Sequence, residues 1–172
     1  RMERIALDEP VDLIVSECMC SLFIDARMLP HVLMFRDNNL ADSGQIMPKR
    51  GTIHLAPVEV PEIHYDWVGR WEHMHNEYGI DFSPLHNLAM GQSHRRILPE
   101  ESLLAEGVDA FTIDLQTAPA ETPSFSSELQ FTINRDGTLH GLGGYFTAWL
   151  TETVFLTTAP SAPTTHWQQH YF

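Results

Sequence analysis

The stretch VDLIVSECMCSLFIDARML, residues 11 to 29, decides how the rest of the chain is read. Its first five residues, Val11-Asp12-Leu13-Ile14-Val15, form a short apolar run that predicts a buried strand. Glu17 stands one residue past that strand, on a short loop ahead of a helix. In an open α/β sheet the carboxyl ends of parallel strands form the crevice where ligands bind, so a carboxylate delivered there faces the site. A surface glutamate ending a buried strand is the plainer reading of the position alone.

Working outward, Pro30 suits the first turn of a helix, where its missing N–H costs nothing. Leu29, Val32, Leu33 and Leu40 follow at helical spacing, with Arg36, Asp37 and Asn38 placed on the other side, so a core-facing helix is expected to end near Asn39 to Leu40. Asp42-Ser43-Gly44 reads as a turn. Gln45 to Met47 and Thr52 to Ala56 read as short strands around Pro48 and Gly51. From Glu62 to Met90 the pattern changes to polar helices that carry Tyr65, Trp67, Trp71, Tyr78 and Phe82. Aromatics on such a segment are either interface anchors or an intrachain core.

Beyond Val108 the chain reads as strand after strand: Ala110 to Leu115, Ser127 to Ile133, Leu139 to Leu150 and Val154 to Thr158, with Asn134-Arg135-Asp136-Gly137 as a hairpin turn. Regular short strands of this kind predict an antiparallel barrel or sandwich, and the last strand, near Phe172, looks unfinished.

The 172 residues suffice for one sizeable core. Ten Lys and Arg against 23 Asp and Glu give a formal charge of -13, which repels phosphate backbones and argues against nucleic acid as a partner. Apolar runs such as Leu22 to Ile24 are far too short to cross a bilayer, so no membrane association is expected. The only cysteines, Cys18 and Cys20, suit neither a structural disulfide nor a zinc site, and free thiols point to a reducing, cytoplasmic compartment.

Ten histidines raise the question of a metal. His73 and His75 would point to opposite sides of a helix, and nothing in the spacing of His54, His140 and His166 favours a shared ion, so no metal is assigned. Hydrolase chemistry lacks a Gly-x-Ser-x-Gly motif or a histidine partner for Cys18. No glycine-rich strand–turn–helix precedes Val11, so the sequence is expected to begin partway through a nucleotide-binding domain.

Val11-Asp12-Leu13-Ile14-Val15-Ser16-Glu17-Cys18-Met19 resembles the strand and first half of the double-glutamate loop of the protein arginine methyltransferases, V-D-x-I-x-S-E-x-M-G-Y. Similarity continues in order through Met28-Leu29, Met47-Pro48, Leu55-Ala56-Pro57-Val58-Glu59 and Tyr78-Gly79-Ile80-Asp81-Phe82-Ser83. It closes on Thr165-His166-Trp167, similar to the family's T-H-W loop.

The resemblance implies an α+β fold: a remnant of a Rossmann-type methyltransferase domain over residues 1–48, then an incomplete antiparallel β-barrel over 49–172 with a helical dimerisation arm at about 62–96. It implies S-adenosylmethionine as the cofactor of the complete protein, an arginine-containing protein substrate, and a homodimer or a heterodimer with a related methyltransferase. Glu17 would hold the substrate guanidinium, because a carboxylate matches its planar fork bidentately. The family's second glutamate falls on Ala26, with Asp25 one position early and one methylene short, so Asp25 could replace it only if the loop shifts. Met19 and Met28 would line the cofactor side, while His166 and Trp167 would frame the substrate pocket. In the family that histidine engages a carboxylate from the N-terminal region, and the sequence offers no counterpart. Loss of the second glutamate leaves two expectations: a methyltransferase with altered substrate choice, not competent as this chain alone, or a catalytically silent partner of an active relative.

Overall fold

The computed structural model describes residues 4–20, 22–23, 28–121 and 126–172. Asp25 and Ala26 therefore lie outside the described residues. β1 (Val11–Val15) and β2 (Leu40–Met47) pair in parallel across α1 (Met28–Asn39). Parallel strands require such a crossover, so the strand-plus-helix reading places Glu17 at the carboxyl end of a parallel pair.

β1 is buried less than its composition implies: Ile14 enters the core, whereas Leu13 and Val15 are 48% and 73% exposed. The face carrying those two has no cover among the described residues. The turn expected at Asp42 to Gly44 is instead part of β2, where the pairing slips from Val11–Leu40 to Leu13–Gln45. The Gln116 side chain completes this strand, accepting from Ile46 N at 3.2 Å and donating to Gly44 O at 3.0 Å.

α1 corrects the sequence reading at one position. Arg36 shares the stripe of Leu29, Val32 and Leu33, since i, i+3, i+4 and i+7 fall on one face of a helix. Its buried guanidinium donates to Leu115 O at 2.5 Å and to Ala118 O at 2.7 Å, and it pairs with Asp37. Carbonyls beyond the helix thus make a cation tolerable at a core position. Asn39, also buried, accepts from Leu7 N and donates to Ile5 O, which ties down the segment before β1.

The remaining strands form one six-stranded antiparallel sheet: β3 (Arg50–Val58), β4 (His94–Arg96), β5 (Val108–Asp114), β6 (Gly141–Trp149), β7 (Phe155–Thr157) and β8 (Gln169–Tyr171). The order is β4-β8-β6-β3-β5, with β7 also on β6, and among the described strands it does not close into a ring. β4 has no counterpart in the sequence reading. The strand expected at Ser127 to Ile133 makes no ladder among its described residues, and Asn134 to Gly137 is not a hairpin. Arg135 is held in place there by Glu59 and by the Leu103 and Glu101 carbonyls, so side-chain anchoring replaces strand pairing.

Between β3 and β4 stands the arm: α2 (Pro61–His64), a π-helical turn (Tyr65–Gly69), α3 (Arg70–Tyr78) and α4 (Ser83–Met90). Its aromatics divide. Trp71 packs near Phe82 at 6.2 Å, and Trp67 stacks on His94 at 4.1 Å with the Arg96 guanidinium 4.5 Å from its ring. Tyr65 and Tyr78 are exposed, as are the apolar side chains of Ile80, Leu85, Leu88 and Met90 on the same arm. No helix among the described residues is long and apolar enough to cross a membrane.

A single core joins the two parts. Ile14, Leu29, Val32, Leu33 and Ile46 pack in one cluster with Ile53, Ile113, Phe146 and Ala148 of the antiparallel sheet, and the Glu17 loop adds Met19 and Phe23 to it.

Candidate active site

Ser16 N continues the parallel ladder by donating to Met47 O at 2.8 Å, so the backbone leading into Glu17 is fixed. Two further bonds tighten the loop, Cys18 N to Ser16 Oγ at 3.3 Å and Met19 N to Glu17 O at 2.7 Å. Phe23 anchors its far side in the core at φ 63, a left-handed conformation rare for a bulky residue. It lies where Gly51 leaves room: a Cβ on Gly51 would sit 2.1 Å from the Phe23 ring. Leu22 packs likewise over Gly144, where a Cβ would stand 3.1 Å from its Cδ1 and 2.8 Å from the Phe172 ring.

From the other end of the chain, His166 and Trp167 form a turn that leads into β8. Gln169 clamps the start of that strand, donating to Thr158 O at 2.7 Å and accepting from Leu98 N at 2.8 Å. Trp167 goes inward, its ring meeting Phe146 edge-on at 5.8 Å, while the His166 ring lies over it at 4.0 Å and stays exposed. His166 Nε2 comes within 3.7 Å of Glu17 Oε1. Thr165 Oγ1, beside it, is buried with no hydrogen-bond partner among the described residues.

Two elements distant in sequence thus bring Glu17, His166 and Trp167 to one place. The carboxylate His166 meets is Glu17 itself, whereas the sequence reading left that histidine without a partner. At 71% and 73% side-chain exposure the ion pair contributes little to stability, which leaves both groups open to a ligand. Glu17 can accept two hydrogen bonds from a planar cation, and an imidazole beside it can hold or pass a proton.

Met19 is 8% exposed and faces the core, and Met28 opens α1 half-buried. The described residues around them assemble no glycine-rich turn and no carboxylate set for a ribose. By themselves they do not fit S-adenosylmethionine. The three histidines considered for a metal go to separate places: His54 Nδ1 to Asp109 at 2.9 Å, His140 Nδ1 to Val60 N at 3.1 Å, and His166 to Glu17. Among the described residues no cluster of three or more metal-ligating side chains forms. Sequence reasoning missed Phe23, Phe146 and Gln169, whose roles arise only from packing and carry no motif.

Residues 49–172 match the family described as the arginine methyltransferase oligomerization subdomain. Human protein arginine N-methyltransferase 2 is 31% identical over 188 residues, covering 100% of this chain and 42% of its own length. A probable histone-arginine methyltransferase CARM1 of Oryza sativa subsp. indica is 30% identical over 179 residues, covering 98% of this chain and 34% of its own. The chain thus spans well under half the length of these relatives.

Among solved structures, the Trypanosoma brucei PRMT1 enzyme–prozyme heterotetrameric complex with AdoHcy superposes with a TM-score of 0.87 at 28% identity. That match covers 99% of this chain and 54% of the other. Protein arginine methyltransferase 10 of Arabidopsis thaliana, in an open conformation, gives 0.77 at 26% identity, covering 99% and 57%. With a family match over residues 49–172, well over half of its length, this chain belongs to the protein arginine methyltransferase family.

Proposed function

We propose that this chain supplies the arginine-binding half of an S-adenosylmethionine-dependent protein arginine N-methyltransferase. The observation that carries the reading is the approach of His166 to Glu17 at the carboxyl end of a parallel strand. Glu17 holds the guanidinium of a protein substrate by charge-assisted hydrogen bonds and turns one nitrogen toward the methyl donor. His166 fixes the free side of that carboxylate, and Trp167 gives the pocket a wall. The cofactor, when bound, supplies the methyl group. Ala26 leaves the second-glutamate position without a carboxylate, and Asp25, one position early and one methylene short, would fill it only if the loop shifts.

A second reading has its own support: Ala26 stands where the family carries its second glutamate, and the Trypanosoma brucei complex is one of enzyme with prozyme. On that reading the chain is a silent partner that binds an active relative through the arm. Joining this chain to the cofactor-binding half of a relative discriminates the two. Methylarginine formed on a peptide, and lost with Glu17→Gln, supports the enzyme. Activation of a partner that is unchanged by Glu17→Gln supports the silent partner.

A further inference from the structure

Glu17 and His166 are delivered by elements far apart in the sequence, yet both elements lean on one ring. Phe23, at the far side of the Glu17 loop, packs against Phe146 with ring centroids 5.8 Å apart at 55°. Trp167, next to His166, packs against the same ring at 5.8 Å and 78°. Phe146 is fully buried and fixed on two sides: Ile53 stands opposite it on β3, and on the other side its N–H donates to Thr158 Oγ1 at 3.0 Å while its carbonyl accepts from Thr158 N at 2.9 Å. It cannot shift without moving the middle of the sheet.

The Phe23 side of this arrangement depends on Gly51. Gly51 and Ile53 lie on the same face of β3, two residues apart, and Ile53 is the register partner of Phe146. A Cβ on Gly51 would stand 2.1 to 2.4 Å from three atoms of the Phe23 ring, closer than any side chain tolerates. The backbone at Phe23 is meanwhile held at φ 63, a conformation that persists only where surrounding packing enforces it. Loop and turn thus meet through aromatic packing on a rigid strand.

We propose that Phe146 is a positioning residue that sets the approach of His166 to Glu17, by acting as the common support for Phe23 and Trp167, with Gly51 supplying the space that lets Phe23 reach it. The proposal rests on reading Glu17 and His166 as one site. It is independent of whether the chain takes part in methyl transfer. Neither Phe146 nor Gly51 touches a substrate; both act through the two aromatic side chains.

The test is a mutant cycle read by nuclear magnetic resonance on the full chain, following the ring protons of His166. In the parent, Glu17→Gln shifts these resonances, because the facing carboxylate is removed. In Phe146→Leu, which keeps the core apolar but removes the shared ring, the shift caused by Glu17→Gln falls to less than half. Gly51→Ala, which keeps the identity of every core side chain and displaces Phe23, has the same effect and decides the matter if Phe146→Leu does not fold. Val58→Ala, in the separate cluster with Val60, Leu98 and Tyr171, leaves the shift at its parental size and controls for loss of stability. An undiminished shift in folded Phe146→Leu and Gly51→Ala overturns the proposal. Absence of any shift in the parent overturns the pair itself and the proposal with it, whatever the outcome of a methylation assay.

Discussion

The Arg36 guanidinium donates to the carbonyl of Leu115 at 2.5 Å, so a cation on the first helix is held by backbone at the end of β5. With the bond to Ala118 O, it fastens α1 to the antiparallel sheet at a buried position. Arg36→Met keeps the stem and removes the donors, leaving two carbonyls short of partners. The expected cost is about 2 to 4 kcal/mol, which lowers the melting temperature by roughly 4 to 16 °C in a chain of this size. Calorimetry of the two proteins checks it.

Stability should also fall in two stages with acid. Burial lowers the pKa of His54, against the raising effect of Asp109, and burial with the nearby His140 and His86 lowers that of His64. For both, the unfolded chain binds more protons than the folded one as pH drops below the ordinary value of 6.5. Their contribution is therefore complete above that value and is lost as pH falls through the lower folded pKa. Glu59 follows later: the Thr138 N–H and Arg135 hold its pKa below 4.5, so its contribution is lost only as pH falls under that value. Urea denaturation from pH 8 to pH 4 should show the first loss beginning near neutrality, and His54→Gln combined with His64→Gln should reduce it.

The exposed side chains of Tyr78, Ile80, Leu85, Leu88 and Met90 predict association through the arm, in keeping with an oligomerization subdomain. Leu88→Glu with Met90→Glu should convert the associated species to monomer without changing the melting profile, since both side chains are more than half exposed. Sedimentation velocity reads the result directly.

Much of this was legible in the sequence for identifiable reasons. Val11 to Val15 and the stripe from Leu29 are local patterns, and they located β1, α1 and the loop between them. Resemblance assigned Glu17 and His166 separately to the substrate pocket, but their meeting is seen only in the fold, because nothing local joins the two ends of a chain. Arg36 was misplaced because a charge was taken as a marker of the solvent face, although heptad spacing put it inside. Ser127 to Ile133 has the composition of a strand, yet among its described residues pairing is absent and only side-chain bonds such as Ser127 Oγ to Ala110 O fix it. β4 and β8 are three residues each, too short to carry a period of their own. Phe146 reads as one more apolar residue in β6, and only the fold shows what leans on it.

The proposed role of Glu17 as the carboxylate in register is tested by one series on a chain joined to a relative's cofactor-binding half: kcat for methylation of an arginine peptide in Glu17→Gln, Asp25→Ala and Ala26→Glu. The expected result is loss of turnover in Glu17→Gln, little change in Asp25→Ala, and a rise in Ala26→Glu. A second charge-assisted pair adds about 1.5 to 3 kcal/mol, roughly one to two decades in rate if felt mainly in the transition state. Turnover that survives Glu17→Gln contradicts the role given to Glu17, and turnover that vanishes in Asp25→Ala while Ala26→Glu is inert contradicts the register and makes Asp25 the working second carboxylate of a shifted loop.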